Sequence, residues 1–228
     1  MSSTASTAAE STTSSVVSET TSAAADENAA AAAQLLNDLT GSYQELWPVI
    51  LADEYQQTWL DDCTALVGEE NAEAAFEKLS SMVTGDVYGE DAVEAYANGG
   101  GAYFCGFTNS LAILTFDGET STISGTDKDG NVLFSHTYHY IGMEPVHGLY
   151  EFESDDADSG EFTYFFLAPD TSAETYHIEF RYGSDAEALS QYDAGEYAYW
   201  VASGISTDCD QTMIDNCIEL FCTENLAG

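Results

Sequence analysis

The spacing of large apolar residues changes once along the chain, near residue 99. Before that point they recur at helical intervals. Leu35, Leu36, Leu39, Tyr43, Leu46, Trp47 and Ile50 keep a mostly helical spacing, interrupted at Gly41, and Pro48 breaks whatever helix reaches it. Glu54 to Leu66 places Trp59, Leu60, Cys63 and Leu66 on one stripe. Asn71 to Val83 does the same with Ala75, Phe76, Leu79 and Val83, and a short third helix is expected from Glu90 to Asn98, ended by Gly99, Gly100 and Gly101.

From Ala102 the period becomes two. Seven strand-like runs follow: AYFCGFT, SLAILTF, ETSTISG, NVLFSHTYHY, GLYEFES, EFTYFFLA and ETYHIEFRY. Turn signals such as Asp117-Gly118 and Asp129-Gly130 separate them, as does an acidic loop over residues 154–160. Short successive strands with tight turns predict an antiparallel meander. Seven or eight such strands most economically close into an up-and-down β-barrel, because closure removes the exposed edges. Met213, Ile214, Cys217, Ile218 and Phe221 then form the apolar face of a C-terminal helix, with Ser206 or Thr207 as its expected N-cap. The expected fold class is therefore α+β: a mainly antiparallel barrel with N-terminal helices and a C-terminal helix.

Composition divides the chain further. Residues 1–34 are dominated by Ser, Thr and Ala, have no aromatics, and cannot bury enough surface to offset their ordering entropy. They read as a disordered stalk before a domain over residues 35–228, although Ala29 to Gln34 are strong helix formers able to join the next helix. No signal-peptide core and no run of 18 apolar residues is present, so nothing spans a membrane as written. A stalk of this kind follows the processed N-terminus of exported or lipid-anchored bacterial proteins. Met1 thus reads as a replacement for the native start, and the expected localisation is extracytoplasmic.

Charge excludes whole classes of partner. The 228 residues carry 41 Asp+Glu against 3 Lys+Arg, a net charge of −38. With Lys78, Lys128 and Arg181 as the only bases, no surface can track a phosphate backbone, and nucleic acid and anionic membranes are excluded as partners. Phosphoryl transfer lacks its usual cationic clamps. Cations and neutral molecules remain.

Candidate chemistry is sparse. Nucleophile elbows, phosphate loops and the His-Glu-x-x-His motif are all absent from the sequence. Gly125 to Asn131 has some features of a calcium loop but lacks the spaced acids and closing Glu, so it reads as a hairpin turn. The five cysteines (Cys63, Cys105, Cys209, Cys217, Cys222) form no Cys-x-x-Cys pair; a bridge from Cys63 to one of the last three is the expected pairing. Of four histidines, His177 lies in ETYHIEFRY, where alternation puts Thr175, His177 and Glu179 on one strand face and Tyr176, Ile178 and Phe180 on the other.

The ends of the chain resemble a family. In LNDLTGSYQELWPVI, Leu36, Asp38, Gly41, Tyr43, Gln44, Trp47 and Pro48 fall in register with the opening of the ZinT family of extracytoplasmic zinc-binding proteins. TYHIEFRYGSDAEALSQ resembles that family's His-aromatic-His-Ile segment, and AYWVASGISTD with the closing helix resembles its tail. The resemblance implies a lipocalin-like (calycin) barrel. It also implies zinc bound at one barrel mouth by a Ser-Asp-His segment and both histidines of a His-x-His pair. Here the metal site is degenerate. His177 holds the second His-x-His position, Thr175 the first, and the Ser-Asp-His segment falls on Ala168, Pro169 and Asp170. The candidate metal ligands are therefore His177, Asp170 and Glu179, and Zn(II) is the implied ion. The resulting expectation is an exported, non-catalytic protein that captures divalent metal and hands it to uptake machinery. Two alternatives stand beside it: a barrel holding a small apolar ligand, and a surface or interaction domain that has lost its site.

Overall fold

The computed structural model of the protein describes residues 27–97, 100–169, 175 and 177–227. Among these, eight strands close an antiparallel barrel in which every strand pairs with its neighbour in sequence: β1 (Gly41–Glu45), β2 (Ile113–Asp117), β3 (Thr122–Thr126), β4 (Val132–Met143), β5 (Tyr150–Ser154), β6 (Tyr164–Leu167), β7 (His177–Gly183) and β8 (Ala202–Ser206). β8 returns to β1 through Tyr43↔Ser206 and Glu45↔Gly204. The helices are α1 (27–38), α2 (Leu46–Ile50), α3 (Gln56–Val67), α4 (Glu69–Val83), α5 (Glu90–Ala95), α6 (Ala186–Leu189) and α7 (Gln211–Leu226). The fold is the α+β barrel that the change of period predicts. None of these helices is long and apolar enough to cross a membrane.

Four local expectations need correction. The segment 35–51, expected to be helical, is the end of α1, then β1, then α2. Gly41 makes the break with φ +146°, a region that favours glycine. Pro48 does not break α2, because it is the third residue of that helix, where its missing N–H has no intrahelical acceptor to lose. The run AYFCGFT is no strand of the barrel: it lies as a strap against the segment leading into β8, with Phe104 bridged to Thr84 and Trp200. The eighth strand is β8, whose small residues ASGIS give no alternating signal. Finally, α7 is capped by Asp210, whose carboxylate accepts from Met213 N at 3.0 Å, not by Ser206 or Thr207, which lie in or just after β8.

Residues 1–26, the greater part of the expected stalk, lie outside the described residues. Within the remainder, Ala32 is buried on α1 together with Leu35 and Leu36, and Ala29 to Gln34 join that helix.

Two cores result. One fills the barrel. Phe116, Phe152, Phe165, Phe180 and Tyr182 are all essentially inaccessible, and the rings of Phe165, Phe180 and Tyr182 stack on one another across the interior. Phe134 lies 4.0 Å from Phe162, centroid to centroid. Crowding there is strong enough to demand glycine at residue 125, where a Cβ would come within 2.4 Å of both Phe134 and Leu111. The second core lies outside the wall. Leu46, Trp47 and Ile50 of α2, Trp59 and Cys63 of α3, Leu79 of α4 and Ile214, Cys217, Ile218 and Cys222 of α7 pack together with Ile205 of β8.

Candidate functional site

The direction of each β7 side chain follows from the barrel core. Ile178, Phe180 and Tyr182 enter the interior, so strand alternation turns His177, Glu179 and Arg181 outward. In register, His177 stands beside Ile205 and Glu179 beside Ser203 of β8. The outer face of these two strands is the floor on which the helical layer rests. His177 and Glu179 therefore do not open into the barrel: they line a cleft between the wall, α2 and α7.

Trp47 and Ile50 of α2 close one side of that cleft, and Cys217, Phe221 and Glu224 of α7 form its roof. The rings of Trp47 and Phe221 meet edge to face at 4.7 Å. The cleft's free volume is about 30 Å³, room for an ion or a water. Glu179 also borders a larger cavity of about 410 Å³, shared with Tyr103, His147 and Tyr192.

His177 is oriented by its neighbour. The Thr175 hydroxyl lies 2.8 Å from His177 Nδ1, and the Thr175 carbonyl accepts from the Cys217 thiol at 3.3 Å. This links β7 to α7 directly below the cleft. Thr175 occupies the position where the resemblance implies another histidine; here its hydroxyl contacts the imidazole. Burial pushes the Cys217 thiol up to about 12, with Cys209 adding a smaller repulsive effect, so Cys217 is protonated at neutral pH. Cys105, in the strap itself, is likewise pushed up to about 12 by burial and then by the charge of Glu179. Arg181, the third outward residue, is fully buried; its guanidinium donates to the carbonyls of Leu189, Gln191 and Tyr197 and lies 4.2 Å over the Tyr192 ring. It fastens the segment after α6 to the wall.

Of the three candidate ligands, then, His177 and Glu179 come together on one face and one cleft. Asp170 lies outside the described residues. Among the described residues no group of three or more His, Cys, Asp and Glu side chains is placed to hold a metal ion. The other histidines sit elsewhere: His136 against Asp156 and His139 against Asp155, each at 2.8 Å, and His147 3.6 Å from Glu144. Sequence reading missed Cys217 and Glu224 as cleft residues. The signal was present, since Ile214, Cys217, Phe221 and Glu224 follow one another at helical spacing along a single stripe of α7. In this structure all five cysteines are thiols, and of the three partners expected for Cys63 it is Cys222 that lies beside it, with the two Sγ atoms 3.9 Å apart.

The architecture defines an up-and-down barrel protein with a helix-roofed cleft on its outer wall. Its fold is ZinT-like. The chain superposes on the Zn(II)-bound ZinT-like domain of Streptococcus pneumoniae AdcA with a TM-score of 0.51, covering 81% of this chain and 89% of that one at 15% identity. A second solved structure, Zn(II)-bound AdcA from the same species, is matched at a TM-score of 0.46 and 15% identity, covering 85% of this chain and 35% of that one. No protein-family model and no curated protein sequence matches the chain. At this identity the likeness speaks for the fold.

Proposed function

We propose that this protein is an exported, non-catalytic binder of divalent metal, Zn(II) foremost, that captures the ion outside the cytoplasm for delivery to uptake machinery. His177 is the principal ligand in this reading, with Glu179 from the same strand face and Asp170 from the preceding loop. The observation that carries it is the pairing of an imidazole and a carboxylate on the outward face of β7, in a cleft whose free volume suits an ion. Thr175 supports it as an orienting partner: a hydrogen bond at Nδ1 fixes the ring and makes Nε2 the ligating atom. Glu224 borders the same cleft and adds negative potential where a cation would enter. The ZinT-like fold, seen in a Zn(II)-bound domain, is consistent with the reading.

Calorimetric titration of chelator-stripped protein with Zn(II) tests it. The expected result is a saturable isotherm near one to one that weakens as pH falls through the histidine range near 6.5, because zinc requires neutral imidazole. His177→Ala abolishes this isotherm, while His136→Ala and His139→Ala leave it intact. A shallow isotherm that survives in His177→Ala and vanishes with added salt would mean diffuse binding to surface carboxylates, and the reading fails.

A further inference from the structure

We propose that Cys63 and Cys222 form a disulfide that staples α7 to α3. The two sulfurs are 3.9 Å apart, both side chains are inaccessible to solvent, and they come from positions 159 residues apart. A disulfide bond is about 2.0 Å long, so closing it needs an approach of less than about 2 Å, within reach of a small side-chain rotation or helix slide. The pairing is also selective. Cys217, although five residues from Cys222 on the same helix, faces the other way and donates to the Thr175 carbonyl at the barrel wall. Cys105, within the strap, is turned toward the Tyr103 carbonyl. α7 thus carries one thiol toward the cleft and another toward α3, and only the second meets a sulfur.

The chemistry is ordinary thiol–disulfide exchange. One protein thiolate attacks a low-molecular-weight disulfide such as oxidised glutathione, forming a mixed disulfide and expelling one glutathione thiol. The second protein thiolate then attacks the protein sulfur of that mixed disulfide, forming the Cys63–Cys222 bond and expelling the second glutathione thiol. Two protein thiols are oxidised and one glutathione disulfide is reduced. Burial raises both thiols above their ordinary range, and Cys222 is raised further by its neighbour Cys63. The folded, reduced protein therefore presents almost no thiolate, and the bond forms while the chain is folding. Once formed, it fixes the helix that carries Cys217, Phe221 and Glu224 over the cleft. The bond forms independently of any metal binding at the cleft.

The test is refolding of the full chain from denaturant in a mixture of reduced and oxidised glutathione, followed by denaturing alkylation, intact mass measurement and non-reducing peptide mapping. The expected result is three alkylated cysteines instead of five, and a linked pair of peptides containing Cys63 and Cys222. The oxidised protein melts at a higher temperature than the reduced one, and this difference is absent in the Cys63→Ser, Cys222→Ser double variant. Should that variant not fold, the peptide map of the unaltered chain decides alone. Five alkylated cysteines after oxidative refolding, or a bridge that uses Cys105, Cys209 or Cys217, would overturn the proposal.

Discussion

The barrel interior and the helical layer on its outer wall each bury a cluster of apolar residues, the interior the larger, and use them differently. Inside, aromatic rings stack without a break, and the polar atoms they carry are matched: Tyr182 Oη donates to the Thr108 carbonyl and accepts from the Thr108 amide, and Tyr138 Oη donates to Phe162 O. Outside, packing between α2, α7 and the wall is incomplete, and the space it leaves is bordered by an imidazole, a thiol and two carboxylates. The interior is packed with rings, and the cleft bordered by His177 and Glu179 lies at the seam between the wall and its helices. The difference teaches that in this chain the barrel serves as a scaffold, and the helices decide what the outward face of β7 can do.

Truncating one ring in each region sharpens the comparison most. Phe165 is fully buried at the centre of the interior stack, so Phe165→Ala should cost about 3–5 kcal/mol. Phe221 is half-buried, touches Trp47 and Trp59, and roofs the cleft. Phe221→Ala should cost less, about 1–3 kcal/mol, and widen the cleft without disturbing the barrel. For a chain of this size each kcal/mol is worth about 2–4 °C in Tm, so thermal melts resolve the two. Equal losses, or a larger one at Phe221, would show that the helical layer is the principal core.

The same contrast explains what could be read from sequence. The barrel was legible because a period of two repeated over successive runs leaves few alternatives to a meander. β1 and β8 escaped because five-residue strands such as GSYQE and ASGIS carry one or two large side chains, too few for alternation to register. His177 and Glu179 sharing a face was a direct consequence of strand geometry. Which side of the wall that face lies on was not, since direction depends on where the helices dock. The cleft residues of α7 belong to an apolar stripe that reads as plain core until the wall is placed beneath it.

Salt should separate the regions next. All but four of the 41 acids (Glu10, Glu19, Asp26 and Glu27) follow residue 34, and many lie on the helices: Asp61 and Asp62 on α3, Glu69, Glu70, Glu73 and Glu77 on α4, Asp215, Glu219 and Glu224 on α7. The interior stack is apolar. Adding about 1 M salt shortens the Debye length to about 3 Å, which screens this repulsion and should raise Tm. Amide hydrogen exchange should show the gain in α3, α4 and α7 before it shows in β3 to β6. A Tm unchanged by salt, or protection gained first in the barrel, would contradict the division.

The smallest expected effect concerns one carboxylate in the helical seam. Asp62 is half-buried on α3, its Oδ2 is enclosed without a hydrogen-bond partner, and its pKa is raised first by burial and then by Glu219, Asp215 and Asp61. The sign follows directly. With the native pKa above the unfolded value, the native state holds a proton that the unfolded chain has released, so stability rises as pH falls through the native value and the gain is complete below about 3.8. Where the group is ionised, its enclosure is a cost. Asp62→Asn removes the charge and supplies donors toward Glu219 and Asp215. It should therefore melt slightly higher than the parent at pH 7 and low salt, and gain less on acidification to pH 5. Some pH dependence should persist, because Glu151 on β5 is raised in the same sense by burial and by Glu144. Paired melts of the two proteins at pH 7 and pH 5 decide the matter. A lower Tm for Asp62→Asn at pH 7 would mean that the charge is held favourably in the seam, and that the helical layer is less strained by its own acids than the contrast with the barrel requires.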